Sequence, residues 1–254
     1  MDTYHVTLAT PDRRTLCSDE GTRCRAVAAV ARAGGGSLLL FCVVDDHVHL
    51  VLRGDRARVA QLAGNTSQAL RRLTGGGLAP AHIRPVDSRS HLRTLVRYVL
   101  DQSSHHALSS APHPGRWSGS CFWDLVGARR LPGFAPGALQ AALPRLSRDE
   151  VWSAVGLAPL EPASDDALSV VSLTALRDAG AASIGRMDLH GRSVDVLAAR
   201  SAVARVARKA AFSDSAVREA LRCPERSWRR LLRHPPRPQD ERALRLQLTL
   251  ATAA

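Results

Sequence analysis

The sequence predicts an α+β protein: an α/β sandwich with a central antiparallel sheet, followed by a smaller all-helical domain. Two observations lead to this prediction. Up to residue 130, β-rich segments alternate with amphipathic helical segments in the order β-α-β-α-β-α, and beyond it only helical periodicity remains. A Pro/Gly-rich stretch separates the two regions. We therefore expect a first domain over 1–130, a linker over 131–147 and a helical domain over 148–254.

The first domain opens with an alternating, β-rich strand over Tyr4–Thr10. An alanine- and arginine-rich helix follows over Thr22–Ala33, and three glycines close it. The apolar run that begins at Leu38 continues through Leu52, and we expect one long strand there. The remaining elements are a helix over 56–73, a short strand over 81–86 and a helix that Ser90 caps and that runs through residue 102.

Two histidines, His47 and His49, lie on the long strand with one residue between them. Because successive side chains of a strand point to opposite faces, both project from the same face with Cβ atoms roughly 6–7 Å apart. Two imidazoles at this separation can bind one metal ion. The alternative is a pair of surface histidines on an edge strand.

Tyr98 is one of two tyrosines, and Gln102 follows it four residues later. On a continuous helix this spacing places both side chains on one face, with Cβ atoms about 6 Å apart. A phenol and an amide oxygen would then lie together. Simple amphipathic packing of the tyrosine is the alternative.

These motifs give the first 130 residues a resemblance to a known family, the HUH single-tyrosine transposases of the insertion-sequence type, which are related to the REP-associated tyrosine transposases. The matching stretches are Tyr4-His5-Val6-Thr7, His47-Val48-His49-Leu50, the YxxxQ pattern of Tyr98 and Gln102 and, more weakly, Arg116-Trp117-Ser118-Gly119-Ser120. The REP-associated subgroup usually has asparagine and then proline after the tyrosine. Here Gln102 is followed by Ser103-Ser104, which weakens the assignment to that subgroup.

The resemblance implies an HUH-type sandwich of ferredoxin-like or RRM-like topology that nicks and rejoins single-stranded or hairpin DNA through a 5′-phosphotyrosine. It implies Tyr98 as the nucleophile, and His47, His49 and Gln102 as ligands of Mg²⁺ or Mn²⁺. Two imidazoles and an amide oxygen leave coordination positions open for phosphate oxygens. Family members are either dimers with composite sites or monomers, so a homodimer stays open.

Two other functions remain open beside this one. A domesticated domain could keep the fold and act as a non-catalytic, sequence-specific DNA-binding regulator. A metal-dependent phosphodiesterase could use water as the nucleophile, with Tyr98 in a structural role. His105 and His106 are additional ligand candidates, for which a loop position is the alternative explanation. Asp46 could support the histidine pair or simply form a turn.

The net charge of +12, from 35 Lys+Arg against 23 Asp+Glu, favours a polyanionic partner, most commonly nucleic acid. Near the carboxyl end, helices over Ser213–Leu221 and Glu225–Arg233 with a three-residue turn between them are typical of a helix-turn-helix. The second would present a DNA-binding set of Arg226, Ser227, Arg229, Arg230 and Arg233. A basic helical hairpin that only packs is the alternative.

The five cysteines form no CxxC pair and no evident disulfide framework, which fits a reducing compartment. No apolar run is long enough to cross a bilayer, and the amino terminus lacks the apolar segment of a signal peptide. We therefore expect a cytoplasmic protein without a membrane partner.

Overall fold

The computed structural model describes residues 2–105, 114–235 and 237–252. The protein is of mixed α+β class with an antiparallel sheet, as predicted. The sheet has the order β2-β3-β1-β4, and each neighbouring pair is antiparallel. Its strands are β1 (Thr3–Ala9), β2 (Leu38–Val43), β3 (His47–Arg53) and β4 (His82–Pro85).

Alternation along β1 divides the sheet into two faces. Tyr4, Val6 and Leu8 are buried on one face, whereas the residues between them are only half-buried on the other. Every residue of β2 is buried, as the unbroken apolar run Leu38–Val43 requires. The second face of β1 is the one that it shares with the two histidines of β3.

The single strand expected over 38–52 is wrong, because the chain reverses at Val44, Asp45 and Asp46. The amide of Val44 donates to the carbonyl of His47 at 3.0 Å, which closes a hairpin between β2 and β3. The carbonyl of Asp46 accepts from the amide of Thr10 at 2.9 Å, which ties the turn to the end of β1. β3 therefore lies between β2 and β1, so the two histidines lie at the start of a central strand and not on an edge strand.

Seven helices accompany the sheet in the described part of the chain. α1 and α2 pack against each other and contact β2 and β1 respectively. Asp19 and Asp55 cap them, each accepting from a backbone amide three residues on. The seven are α1 (Glu20–Gly34), α2 (Arg56–Thr74), α3 (Arg89–Leu100), α4 (Gln102–His105), α5 (Phe122–Leu125), α6 (Gly137–Ala142) and α7 (Arg148–Ser153).

The tryptophan-serine stretch of the sequence lines the outer edge of β2. The amide of Val43 donates to the carbonyl of Gly119, and the amide of Cys121 donates to that of Phe41, both at 3.0 Å. The indole of Trp117 donates to the carbonyl of Val43 at 2.8 Å, and the Arg23 guanidinium lies 3.9 Å from the Trp117 ring centroid. This segment covers an edge that would otherwise expose backbone groups.

The chain divides into two compact units whose boundaries differ from the predicted ones. The first comprises Met1–Val126 and Leu131–Pro159, and the second Gly127–Arg130 and Leu160–Ala254. The predicted linker over 131–147 falls within the first unit, and there the Phe134 ring lies edge-on to Phe41 with centroids 5.2 Å apart. The predicted start of the helical domain at 148 likewise falls within the first unit.

The second unit is helical around a core that includes Leu176, Val203 and Leu244. Gly127–Arg130 belongs to it because the Gln247 amide group donates to the carbonyl of Ala128 at 2.9 Å. In the described part of the chain, no helix combines the length and apolar composition needed to cross a membrane. The helices are α8 (Asp165–Leu168), α9 (Leu173–Ala182), α10 (Val194–Lys209), α11 (Asp214–Ala220), α12 (Glu225–Arg233) and α13 (Pro238–Thr252).

Candidate functional site

The imidazoles of His47 and His49 converge through their Nε2 atoms, which lie 2.9 Å apart. Both side chains are buried, with 3% and 4% of their surface exposed. The rings meet edge to face, with centroids 4.6 Å apart. Two nitrogen donors on a central strand are therefore aimed at one point, which the period of the strand alone did not decide.

The other ring nitrogen of each histidine faces a protein group. Nδ1 of His47 lies 2.5 Å from Oδ1 of Asp46, and Nδ1 of His49 lies 3.0 Å from Nε2 of His5. Metal-binding histidines usually engage a carboxylate, carbonyl or water through the nitrogen that does not bind the metal. The contact with Asp46 therefore suits coordination by Nε2 of His47, and at His49 a ring nitrogen of His5 takes the corresponding place.

Asp46 is held as a carboxylate. Its burial opposes ionisation, but the hydrogen bond and charge of His47, together with Arg13, outweigh burial and lower the pKa of Asp46. A guanidinium nitrogen of Arg13 donates to Oδ2 of Asp46 at 3.1 Å and lies 3.4 Å from Nδ1 of His47. Asp46 therefore supports the histidine pair while also belonging to the hairpin turn, so both suggestions made from the sequence apply.

His5 is a site residue to which the sequence analysis assigned no role. In the pairing of β1 with β3, Thr7 lies opposite His49. His5 precedes Thr7 by two residues, so its side chain projects from the same face as His49. Burial first, and then the positive charges of Arg84 and two neighbouring histidines, lower the pKa of His5 to about 4. The imidazole is therefore neutral near pH 7. The alternation of side chains in an antiparallel pair of β1 and β3 was the signal that could have placed His5 beside His49.

Tyr98 contacts the histidine face of the sheet from α3. Its ring lies edge-on to His49 with centroids 5.4 Å apart, and edge-on to His5 at 5.9 Å. The apolar side of α3 is buried, whereas Tyr98 keeps 40% of its surface exposed. Ser88, and not the predicted Ser90, caps this helix by accepting from the amide of His91 at 3.1 Å.

Gln102 lies beyond the end of α3, since that helix ends at Leu100 and Gln102 begins α4. The expected continuous helix is therefore wrong, but the amide NH₂ of Gln102 still donates to the carbonyl of Tyr98 at 2.8 Å. The side chain is only 1% exposed. Its Oε1 is buried and has no hydrogen-bond partner among the described residues.

An unsatisfied buried carbonyl oxygen costs about 1–3 kcal/mol, so such atoms are rare in native proteins. A cation is one kind of partner that would satisfy Oε1 of Gln102. The resemblance implies Oε1 and the two Nε2 atoms as ligands of one ion, and two nitrogens with one oxygen suit a divalent ion with positions left for phosphate oxygens. No group of three His, Cys, Asp or Glu side chains forms a metal site within the described residues.

A second basic region lies on α12, in the helical unit. Trp228 and Leu231 are buried, and the indole of Trp228 donates to Asp214 of α11 at 3.2 Å. This contact joins α11 and α12, whose bounds agree with the predicted pair of helices. The predicted DNA-binding residues Arg226, Ser227, Arg229, Arg230 and Arg233 are all exposed on the other side of α12.

His105 and His106 were the two additional ligand candidates in the sequence. His105 is the last residue of α4, and His106 lies outside the described residues.

The chain matches no protein-family model, no curated protein and no solved structure.

Proposed function

We propose that the protein is a metal-dependent DNA endonuclease and strand transferase of the HUH single-tyrosine type, with Tyr98 as its nucleophile. One observation carries the proposal: the Nε2 atoms of His47 and His49 lie 2.9 Å apart beneath a half-exposed tyrosine ring. Imidazole nitrogens that converge in this way can bind one metal ion, and a tyrosine beside them can attack a phosphate.

In the proposed reaction, the phenolic oxygen of Tyr98 attacks the phosphorus of a single-stranded DNA phosphodiester. The bond from phosphorus to the 3′-oxygen breaks as the bond to tyrosine forms. The phenol loses its proton and the departing 3′-oxygen gains one. The products are a 5′-phosphotyrosine and a free 3′-hydroxyl, and attack by a 3′-hydroxyl on the phosphotyrosine reverses the step and rejoins a strand.

His47, His49 and Gln102 would hold the divalent cation, Mg²⁺ or Mn²⁺. When bound, the cation supplies Lewis-acid stabilisation of the charge that develops on the scissile phosphate. Asp46 and Arg13 orient His47, and the bond from the Gln102 NH₂ to the Tyr98 carbonyl directs the amide oxygen.

The same proposal extends to architecture and to DNA recognition. A central strand bearing two histidines, with a helix bearing a tyrosine on that face, supports an HUH-type sandwich. In the second unit, α11 and α12 are proposed as a helix-turn-helix, because α12 exposes four arginines that can meet phosphates and guanine edges. The helical unit would then help to select the DNA site.

The test is formation of a covalent adduct. The protein is incubated with Mn²⁺ and a randomised single-stranded oligonucleotide pool that carries its label at the 3′ end, where a 5′-phosphotyrosine product retains it. We expect a denaturant-resistant labelled protein band. Tyr98→Phe should abolish this band while DNA binding persists, and His47→Ala or chelation of the cation should also abolish it.

Tyr4→Phe is the matched control, since Tyr4 is the only other tyrosine and lies on the opposite face of β1. It should leave the adduct unchanged. An adduct that survives in the Tyr98→Phe variant excludes Tyr98 as the nucleophile. Cleavage without an adduct indicates a water-using phosphodiesterase.

A non-catalytic DNA-binding regulator is the second candidate function, and the exposed arginines of α12 favour it independently of the histidine site. Sequence-specific DNA binding without cleavage or adduct, with or without Mn²⁺, would identify this function.

A further inference from the structure

We propose that His5 is a positioning residue of the cation site, in which its Nε2 accepts a hydrogen bond from Nδ1–H of His49. This bond holds the His49 ring in the tautomer whose Nε2 lone pair is directed at the cation. The inference rests on the proposed function, because it concerns the same site. It assigns a role to a residue of β1, whereas the proposed ligands and nucleophile lie on β3, α3 and α4.

The geometry places His5 where this role requires it. Its Nε2 lies 3.0 Å from Nδ1 of His49, within the ordinary range for a hydrogen bond. The two rings are nearly parallel, at 26°, with centroids 5.1 Å apart. The side chain comes from the strand paired with β3, so the backbone ladder fixes its position relative to His49.

The direction of the bond follows from where the proton of His49 must lie. A neutral imidazole carries one N–H, and a nitrogen that coordinates a cation cannot carry it. Coordination through Nε2 therefore leaves the proton on Nδ1, which lies beside His5. His5 must then accept at Nε2 and carry its own proton on Nδ1.

Asp46 makes the corresponding contact with His47, but the two partners differ chemically. A carboxylate can only accept, and Asp46 lies closer to Nδ1 of His47 than the Arg13 guanidinium does, so Asp46 favours the Nδ1–H tautomer of His47. Neutral His5 can either donate or accept at Nε2, depending on its own tautomer. The orientation of His49 is therefore set by a partner that must itself be in the correct tautomer.

His5 also contacts the Tyr98 ring, so a test must separate its hydrogen bond from its packing. Two substitutions do so. His5→Phe keeps a ring beside Tyr98 and removes the acceptor, whereas His5→Gln keeps an acceptor and removes the ring. Mn²⁺ affinity, measured by titration of the full-length protein without DNA, reports on the site independently of cleavage.

We expect His5→Phe to weaken Mn²⁺ binding by about 10–100-fold, the usual effect of losing such a partner. His5→Gln should restore most of that affinity. His82→Phe is the control, because His82 is an exposed histidine on the same sheet face, on the neighbouring strand β4. It should bind Mn²⁺ as the wild type does. If His5→Phe binds Mn²⁺ with wild-type affinity while His47→Ala loses Mn²⁺ binding, the role of His5 is overturned and the cation site is retained.

Equal Mn²⁺ binding by the wild type and His47→Ala, or none by either, overturns the cation site and the His5 role together. Should His5→Phe fail to fold, the wild type provides the decisive measurement. Nitrogen chemical shifts of ¹⁵N-histidine-labelled protein saturated with Mg²⁺ identify each tautomer. Protons on Nδ1 of both His5 and His49 support the proposal, and a proton on Nε2 of either overturns it.

Discussion

At Gln102 a single amide group has two contrasting ends. Its NH₂ donates to the carbonyl of Tyr98 at 2.8 Å, while its Oε1 is buried with no partner among the described residues. The first contact gains stability and fixes the orientation of the amide, whereas the second costs stability. A cation that accepts Oε1 as a ligand would turn this cost into binding energy.

This contrast predicts the behaviour of Gln102→Met. Without cations its free energy of unfolding should lie within about 1 kcal/mol of the wild type, because removing an unsatisfied carbonyl offsets the lost hydrogen bond. At a Mn²⁺ concentration of about 100 times Kd, the wild type should gain about 2.7 kcal/mol and the variant far less. Urea unfolding with chelator and with Mn²⁺ measures both quantities.

Gln140→Met is the matched control for this substitution. The Gln140 NH₂ also donates to a backbone carbonyl, that of Pro144 at 3.0 Å, but on the exposed surface. Its variant should keep the full Mn²⁺-induced gain. An equal gain in Gln102→Met would remove the amide from the set of ligands.

Among the elements, the segment that lines the edge of β2 depends on Gly119. A Cβ atom at this position would lie 2.1 Å from the carbonyl oxygen of Val43, and that backbone cannot move without disturbing β2. Gly119→Ala should therefore lower the free energy of unfolding by about 1–3 kcal/mol or more, the usual cost of overpacking. Thermal or urea unfolding measures the loss.

Gly64→Ala provides the opposite result in the same assay. Gly64 lies on the exposed side of α2, where an added Cβ meets no atom within 4 Å. Alanine in a helix interior is favoured over glycine by about 0.5–1 kcal/mol, so this variant should be more stable than the wild type. A stable Gly119→Ala protein would contradict the close approach of the segment to Val43.

The helix around Tyr98 illustrates how an element can end without separating two residues. The i, i+4 rule assumed one helix through Gln102, but α3 ends at Leu100 and α4 begins at Gln102. The hydrogen bond from Gln102 to the carbonyl of Tyr98 spans this break. The spacing therefore brings the Gln102 side chain to the Tyr98 backbone, whereas the continuous helix was wrong and the proximity of the phenol to the amide oxygen stays a prediction.

At the scale of the whole molecule, the first compact unit extends to residue 159 and not to 130. The later segment contributes Phe134 to the ring contact with Phe41, and Trp152 lies edge-on to Phe122 with centroids 5.1 Å apart. Arg93 of α3 and Glu150 of α7 form an ion pair. These contacts connect the segment to β2 and α3, the elements next to the site.

A fragment of residues 1–159 should therefore unfold cooperatively at a higher temperature than a fragment of residues 1–130. The shorter fragment exposes the apolar surface around Phe41 and Phe122, which are buried in the intact protein. Circular dichroism melts of the two fragments measure the difference. Equal melting temperatures would place the boundary at 130, as the composition of the chain suggested.

Much of the fold was predictable because its signals are local. Period-2 alternation predicted β1 and the shared face of His47 and His49, and the amphipathic pattern predicted α2 to within one residue. The bounds of α12 followed from its arginine-rich amphipathic pattern and the prolines that flank it. The order of strand and helix patterns is a property of the chain itself, so the α+β class and the antiparallel sheet could be inferred from it.

Long-range contacts decided what these signals could not. Whether His49 lies on a central or an edge strand depends on which strands pair, and pairing is a choice among segments distant in sequence. The contact of His5 with His49 spans 44 residues, and the burial of Gln102 depends on the tertiary packing around it. The sequence determined which donors are present, but only the tertiary structure placed two Nε2 atoms, a tyrosine ring and an unsatisfied carbonyl in one compact unit.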